Sequence, residues 1–267
     1  GGRVVFESSL KGLSAWKRVA DNRIYEIQQK QNIEVYKESE LTLAHINELG
    51  IDNIFLATGS SWRKDGIGRS RRKAIKGIDF LNVLTPEEAI KDIESLQGPI
   101  VVYDDEQGYL AGVVADHLSA AHSEVTFITP ASMVSPWTES TLEQKRIQKS
   151  LLVAGVNIIC NKTVDRVEGK TLKLQCIFTG ETTSIQCSTI VMITERIPNT
   201  KLYDELQAQE GSLKDGKAKH IQLIGDAKSP GLIADAVFLG HLAAQSFEES
   251  EQEIQKAIFM REMPSLK

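Results

Sequence analysis

Two strand–loop–helix units and one strand that stops at a small-residue turn predict an α/β fold with buried parallel sheets. The first unit is Gly98–His117, GPIVVYDDEQGYLAGVVADH. Its β-branched run Pro99–Tyr103 suits a strand covered on both faces, and Tyr109–Leu118 carries apolar residues at helical spacing. The second unit is His220–Phe247, where an apolar strand ends in Gly225–Asp226 and a long helix follows a Pro–Gly break. The third observation is DNIFLATGSSW, Asp52–Trp62, a strand that runs straight into Ala57–Thr58–Gly59. A strand ending in small residues lets the backbone pack close against a ligand or another loop.

The loop of the first unit is the informative one. A dinucleotide site there would carry G-x-G-x-x-G, with glycines for the tight turn, for close approach to the pyrophosphate and for helix packing. The best overlay places Glu106, Gly108 and Ala111 at those positions, so one glycine of three survives. Asp104, Asp105 and Glu106 set carboxylates where the diphosphate should lie. Two unit charges 5 Å apart at an effective dielectric near 20 repel by about 3 kcal/mol, enough over several contacts to cancel ordinary cofactor affinity. The reading is a βα frame that refuses NAD(P)H. The next strand, Glu124–Thr129, is followed by Thr129–Pro130–Ala131–Ser132, which supplies neither the ribose-binding acid of a NAD site nor the Arg of a NADP site.

At 267 residues the chain has room for one large or two modest α/β domains. With 31 basic and 36 acidic residues its net charge is −5, which argues against a nucleic-acid partner. The basic cluster Arg63–Lys76 reads first as a solvated loop and second as an anion or partner patch. Cys160, Cys176 and Cys187 form no CxxC and predict reduced, buried thiols rather than a disulfide framework or a metal site. No apolar run approaches the ~20 residues of a membrane span, so the expected location is cytoplasmic. The opening Gly1–Gly2–Arg3, without an initiator Met, reads as a loop leaving an upstream strand, and a signal peptide further upstream is compatible with it.

Taken in order, Ser14–Lys30 is expected as a helix with Trp16, Val19, Ile24 and Ile27 on its apolar face, and Asn32–Lys37 as a short strand. Leu41–Leu49 is a helix ended by Gly50, and Arg63–Leu84 an irregular polar connection. Thr85–Pro86–Glu87–Glu88 starts a helix with Thr as N-cap, Pro at the first position and Glu closing a capping box. Ser140–Ala154 repeats that spacing with Ser140 and Glu143. Asn157–Asn161 is a strand, and Val164–Ser188 an antiparallel ribbon turning at Glu168–Gly169–Lys170 and Thr179–Gly180. Thr189–Thr194 returns as a buried strand, Leu202–Ala208 is a short helix and residues 211–219 a loop. His45, His117, His122, His220 and His241 fall on separate elements and offer no catalytic constellation; Trp16, Trp62 and Trp137 suit core or interdomain packing.

The order of an ATG-ended strand, an inserted nucleotide-like unit and a final strand–GD–helix resembles the two-dinucleotide-domain architecture of flavoprotein disulfide reductases. More closely, GGRV, ATGSSW, VVYDD…YLxG, PWTxxTxE, RIPNTxLY and LIGDAxxPxLIADAxxxGH resemble the C-terminal dinucleotide-binding region of the trimethylamine, dimethylamine and histamine dehydrogenases, relatives of old yellow enzyme and 2,4-dienoyl-CoA reductase. The resemblance implies two Rossmann-like domains of the FAD/NAD(P)-binding, disulfide-reductase type. Residues 97–200 would form the inserted NAD(P)-binding-like domain with a degenerate phosphate loop. Residues 1–96 and 201–267 would form a discontinuous FAD/ADP-binding-like domain, incomplete at its N-terminus.

Carried over by motif, Ala57, Thr58 and Gly59 would line the adenosine-diphosphate side of a cleft. Gly225 and Asp226 would close its other end, and Gly231, Leu232 and Ile233 the start of the closing helix. The resemblance implies ADP or FAD here, at low occupancy in a fragment, with FMN and [4Fe-4S] held only in an N-terminal TIM barrel outside these residues. Expected partners are that barrel, an electron-transferring flavoprotein and a second copy in a homodimer; nucleic acid and membrane are not expected. The chain then reads as a scaffold portion of an amine dehydrogenase, with no catalytic residue of its own and no metal ligand. The alternative is the FAD- and NADPH-binding half of a 2,4-dienoyl-CoA reductase-like enoate reductase. A free-standing nucleotide-binding protein is a third reading, weakened by the missing central strand of the outer domain.

Overall fold

A computed structural model describes residues 2–210 and 220–247. The expected loop at 211–219 lies outside them. The elements are α1 (Gly2–Glu7), α2 (Lys17–Gln28), α3 (Leu43–Leu49), β1 (Asn53–Leu56), β2 (Ser60–Trp62), β3 (Asn82–Leu84), α4 (Pro86–Lys91), β4 (Ile100–Asp104), α5 (Leu110–Ser119), β5 (Val125–Ile128), α6 (Gln144–Val153), β6 (Asn157–Ile159), β7 (Lys162–Glu168), β8 (Thr171–Cys176), β9 (Thr182–Gln186), β10 (Thr189–Ile193), β11 (Arg196–Pro198), α7 (Lys201–Glu210), β12 (His220–Leu223) and α8 (Ile233–Gln245). They divide into two compact units, residues 1–35 with 62–196 and residues 36–61 with 197–267.

The first unit is a three-layer sandwich on a five-stranded sheet ordered β3-β10-β4-β5-β6, every pair parallel. The central strands β4 and β10 are buried at every residue, as the apolar run predicts for a sheet covered on both faces. Alternation sorts their side chains. Ile100, Val102, Val191 and Ile193 face the helical layer with Leu110, Val114, Leu118, Ile147 and Leu151. Val101, Tyr103, Ile190 and Met192 face the ribbon β7-β8-β9 through Val164, Leu172 and Leu174. Each such fully buried Leu, Ile or Phe contributes roughly 1.5–3 kcal/mol of transfer free energy. The ribbon is antiparallel with the expected turns.

Residues 2–35 and 62–96 pack in this unit, because β3 supplies its edge strand against β10. Arg63–Leu84 is therefore less irregular than expected. Three of its basic residues have partners: Arg63 pairs with Asp65 (2.6 Å), Lys64 with Glu88 (2.6 Å), and Arg71 Nη1 donates to the Val164 carbonyl (3.0 Å). Arg69, Arg72, Lys73 and Lys76 are exposed, as the solvated reading expects.

Other local expectations divide by capping chemistry. Thr85 Oγ1 accepts from Glu88 N and Glu88 Oε2 accepts from Thr85 N (2.8 Å), so α4 starts where the box placed it. The box expected at Ser140 does not form. Ser140 Oγ donates to the Trp137 carbonyl within a 3-10 turn over Pro136–Glu139, and α6 begins at Gln144 without a side-chain cap. Residues 2–7 are helix, not a loop, held by the Arg3–Glu7 pair at i,i+4. Asn32–Lys37 forms no strand, since no neighbour offers a ladder and Ile33, Val35 and Tyr36 are exposed. On the expected α2 face only Val19 and Ile27 are partly covered; Ile24 and Trp16 are exposed.

In the second unit β1 and β12 pair in parallel, with Ile54 beside Ile221 and Leu56 beside Leu223. Their common face packs on α3 and α7 through Ile46, Leu43, Leu202, Tyr203 and Leu206. Helix α8 is mostly apolar, with Asp235, His241 and Gln245 as its polar residues, and only Ala243 is buried. Among the described residues no helix is long and apolar enough to cross a membrane.

Candidate functional site

The residues expected to hold a nucleotide all belong to the second unit. Parallel pairing of β1 with β12 brings their carboxyl ends side by side, and the Ile224 amide donates to the Leu56 carbonyl (3.0 Å) just before both chains turn. Ala57–Thr58–Gly59 and Gly225–Asp226 therefore leave one edge of the pair together. Gly59 has φ +76°, a left-handed backbone that favours glycine, and a Cβ there would meet nothing within 4 Å, so space stands open above the turn. Asp226 braces this edge: Oδ2 accepts from Ser60 Oγ (3.3 Å) and Oδ1 from the Gly231 amide (3.2 Å). Leu232 N donates to Asp235 Oδ2 (2.6 Å), which settles the first turn of α8 next to Gly231 and Ile233.

Asn199 completes the constellation. Its Nδ2 donates to the Thr58 carbonyl (3.1 Å), its amide to the Gly59 carbonyl (2.9 Å), and its Oδ1 accepts from Ser61 Oγ (2.9 Å). Thr58 Oγ1 returns a bond to the Asn199 carbonyl (2.6 Å). The role of Asn199 was not assigned from spacing, although it stands inside the RIPNT motif; its partners lie about 140 positions away in sequence. The amides of Gly231 and Leu232 at the start of α8 are occupied by Asp226 Oδ1 and Asp235 Oδ2, so the open space at this edge lies over Gly59.

The second arrangement is the β4–α5 turn of the first unit. Sheet order reverses between β4 and β10, so this turn lies at the switch point where α/β sheets take ligands. The expectation of three carboxylates crowding a diphosphate needs correction, because two of them point elsewhere. Asp104 is fully buried, its Oδ1 accepting from Gln107 N (2.7 Å), and burial pushes its carboxyl well above the usual range, opposed by that hydrogen bond. Asp105 is turned onto Ser70, whose hydroxyl (2.6 Å) and amide (2.9 Å) it accepts. Glu106 alone stays over the helix start, with Oε1 3.5 Å from Arg196 Nη2 and its pKa raised by burial against the pull of Arg196 and Arg3. Their partners do this: Gln107 N holds Asp104, Ser70 holds Asp105 and Arg196 faces Glu106.

Around Glu106 lies a polar cluster the sequence reading missed. Glu7, buried in α1, pairs with Arg3 and accepts from the Tyr109 hydroxyl; burial and Glu7 push that phenol up. Arg196 stacks its guanidinium over Trp62, 5.2 Å from the ring centroid, and Trp62 Nε1 donates to Glu87 (3.2 Å). Trp62 is the core tryptophan; Trp16 and Trp137 are exposed, Trp137 beneath Arg69. The cysteines are free thiols, but only Cys187 is buried, Cys160 and Cys176 being partly exposed. Among the described residues no three His, Cys, Asp or Glu side chains gather to hold a metal.

Residues 11–236 match the pyridine nucleotide-disulphide oxidoreductase family, and the chain belongs to it. This is an oxidoreductase family whose Rossmann-like fold binds FAD and NAD(P). Within it the chain is similar to two amine dehydrogenases and an amine oxidase. It is 36% identical to histamine dehydrogenase from Rhizobium sp. 4-9 over 94% of this chain, with a TM-score of 0.90. It is 33% identical to 6-hydroxypseudooxynicotine amine oxidase from Pseudomonas geniculata N1 over 93% of the chain, TM-score 0.86. Dimethylamine dehydrogenase from Hyphomicrobium sp. (strain x) is 27% identical over 96% of the chain. The chain spans 39%, 37% and 38% of these three relatives' lengths, respectively.

Proposed function

We propose that this chain is the nucleotide-holding scaffold portion of an amine dehydrogenase that passes its electrons to an electron-transferring flavoprotein. Oxidative N-demethylation or deamination would take place on FMN and [4Fe-4S] carried by an N-terminal TIM barrel, on which this portion packs in the cytoplasm. The turns at Ala57–Gly59, Gly225–Asp226 and Gly231–Ile233 would hold ADP or FAD, with Asp226 and Asn199 fixing the loops. Bound there, an adenine nucleotide would serve as a structural element or, as FAD, as an electron carrier. The exposed Leu232 and Phe238 at α8 support a neighbour packed over it.

One observation carries the reading: the β4–α5 turn keeps its strand and helix but has Glu106 where the tight turn requires a glycine, with its carboxylate over the Gly108 that a phosphate would approach. The competing reading is an NADPH-dependent enoate reductase, which needs a working site at that turn. Mixing the full-length protein with NADPH anaerobically, and following flavin absorbance, separates them. No bleaching is expected with NADPH, and bleaching is expected with an amine substrate. Prompt bleaching by NADPH would overturn the proposal.

A further inference from the structure

We infer that one side chain, Glu106, shuts the β4–α5 turn to a pyridine nucleotide by placing its own carboxylate where the diphosphate would lie, with Arg196 as its counter-ion. The inference rests on the scaffold reading and names the residue responsible for it. A family dinucleotide does not fit this turn as it stands. A Cβ built on Gly108, immediately before the helix, would sit 3.0 Å from Glu106 Oε2, so that carboxylate fills the space above the glycine that a phosphate must approach. Arg196, with a side chain only 6% exposed, faces it and is held against Trp62.

The rest of the turn is still built for an anion. Asp105 is withdrawn onto Ser70 and leaves the mouth of the turn clear. Ala111 is fully buried without displacing α5 from the sheet. Asp104, tied to Gln107 N through Oδ1, keeps Oδ2 buried with no hydrogen-bond partner. Its burial takes it out of the mouth of the turn, as Ser70 does for Asp105. Removing Glu106 alone then uncovers the start of a helix with the buried Arg196 side chain beside it, both favourable to a diphosphate.

The test uses the full-length protein and the variants Glu106→Gly and Glu106→Gln, titrated with NADPH by calorimetry and with inorganic diphosphate by thermal unfolding. Glu106→Gly is expected to bind NADPH at least about tenfold more tightly than the parent, a difference of 1.4 kcal/mol, and to gain Tm from diphosphate where the parent gains none. A folded Glu106→Gly that binds neither ligand better than the parent overturns the inference and leaves the scaffold reading standing. Micromolar NADPH binding by the parent overturns that reading, and this inference with it. If Glu106→Gly does not fold, Glu106→Gln decides by the same two titrations, because it discards the charge while keeping the size.

Discussion

Ser70 grips Asp105 twice, its hydroxyl donating to Oδ1 over 2.6 Å and its amide to Oδ2 over 2.9 Å. The bond pair ties a basic loop to the strand end at the switch point, and it explains why Asp105 does not face the helix start. Gly68 makes room for it, since a Cβ there would stand 2.5 Å from Asp105 Oδ2. Asp105→Ala strands the Ser70 amide and should cost about 1–3 kcal/mol, with Ser70→Ala costing less because the amide bond survives. Urea unfolding gives the energies, and faster tryptic cleavage near Arg69–Arg72 gives the place. Unchanged cleavage in Asp105→Ala would show that the carboxylate does not hold the loop.

Gln107 has φ +69°, in the left-handed region, while its amide supplies the bond to Asp104. Glycine keeps the amide and relieves the steric cost of a side chain there, at some expense in unfolded-chain entropy. Gln107→Gly should therefore raise stability by about 1 kcal/mol, read as a higher urea midpoint at unchanged slope. A lower midpoint would contradict the assignment of strain to this residue.

Burial raises the Asp104 carboxyl in the folded state above its unfolded value near 3.9. Between those two values the folded protein keeps a proton that the unfolded chain has released, so this group's contribution falls as pH rises through the window. Asp104→Asn retains an oxygen for the Gln107 amide and has no proton to lose. The variant should gain on the parent steadily from pH 4 toward neutrality. Unfolding free energies measured across that range check it, and a difference independent of pH would rule out a buried neutral carboxyl.

Asp226 joins Ser60 to the Gly231 amide across the edge where β1 and β12 end. Asp226→Ala frees both turns, and the full-length protein is expected to retain several-fold less adenine nucleotide through purification. Asp226→Asn, which can still accept one bond, should fall between. Nucleotide released by acid and quantified by chromatography is the measurement, and equal content in all three proteins would remove the site from this edge.

The apolar runs Pro99–Tyr103 and Thr189–Thr194, the helical spacing of Tyr109–Leu118 and the Thr85 capping box determined a parallel α/β sheet and most of its elements by local rules alone. The glycine count after β4 likewise marked a turn unsuited to a dinucleotide, because two of its three glycine positions carry Glu106 and Ala111. Only the folded chain decided which way each carboxylate points. Asp104, Asp105 and Glu106 are equivalent on paper, yet one is buried against its own turn, one is claimed by Ser70 and one is left over the helix with Arg196. Those partners come from segments 35 and 90 positions away, and so does the anchor of the basic loop, where Arg71 reaches the Val164 carbonyl of the ribbon. Long-range pairing of this kind depends on topology, which no window of neighbouring residues contains.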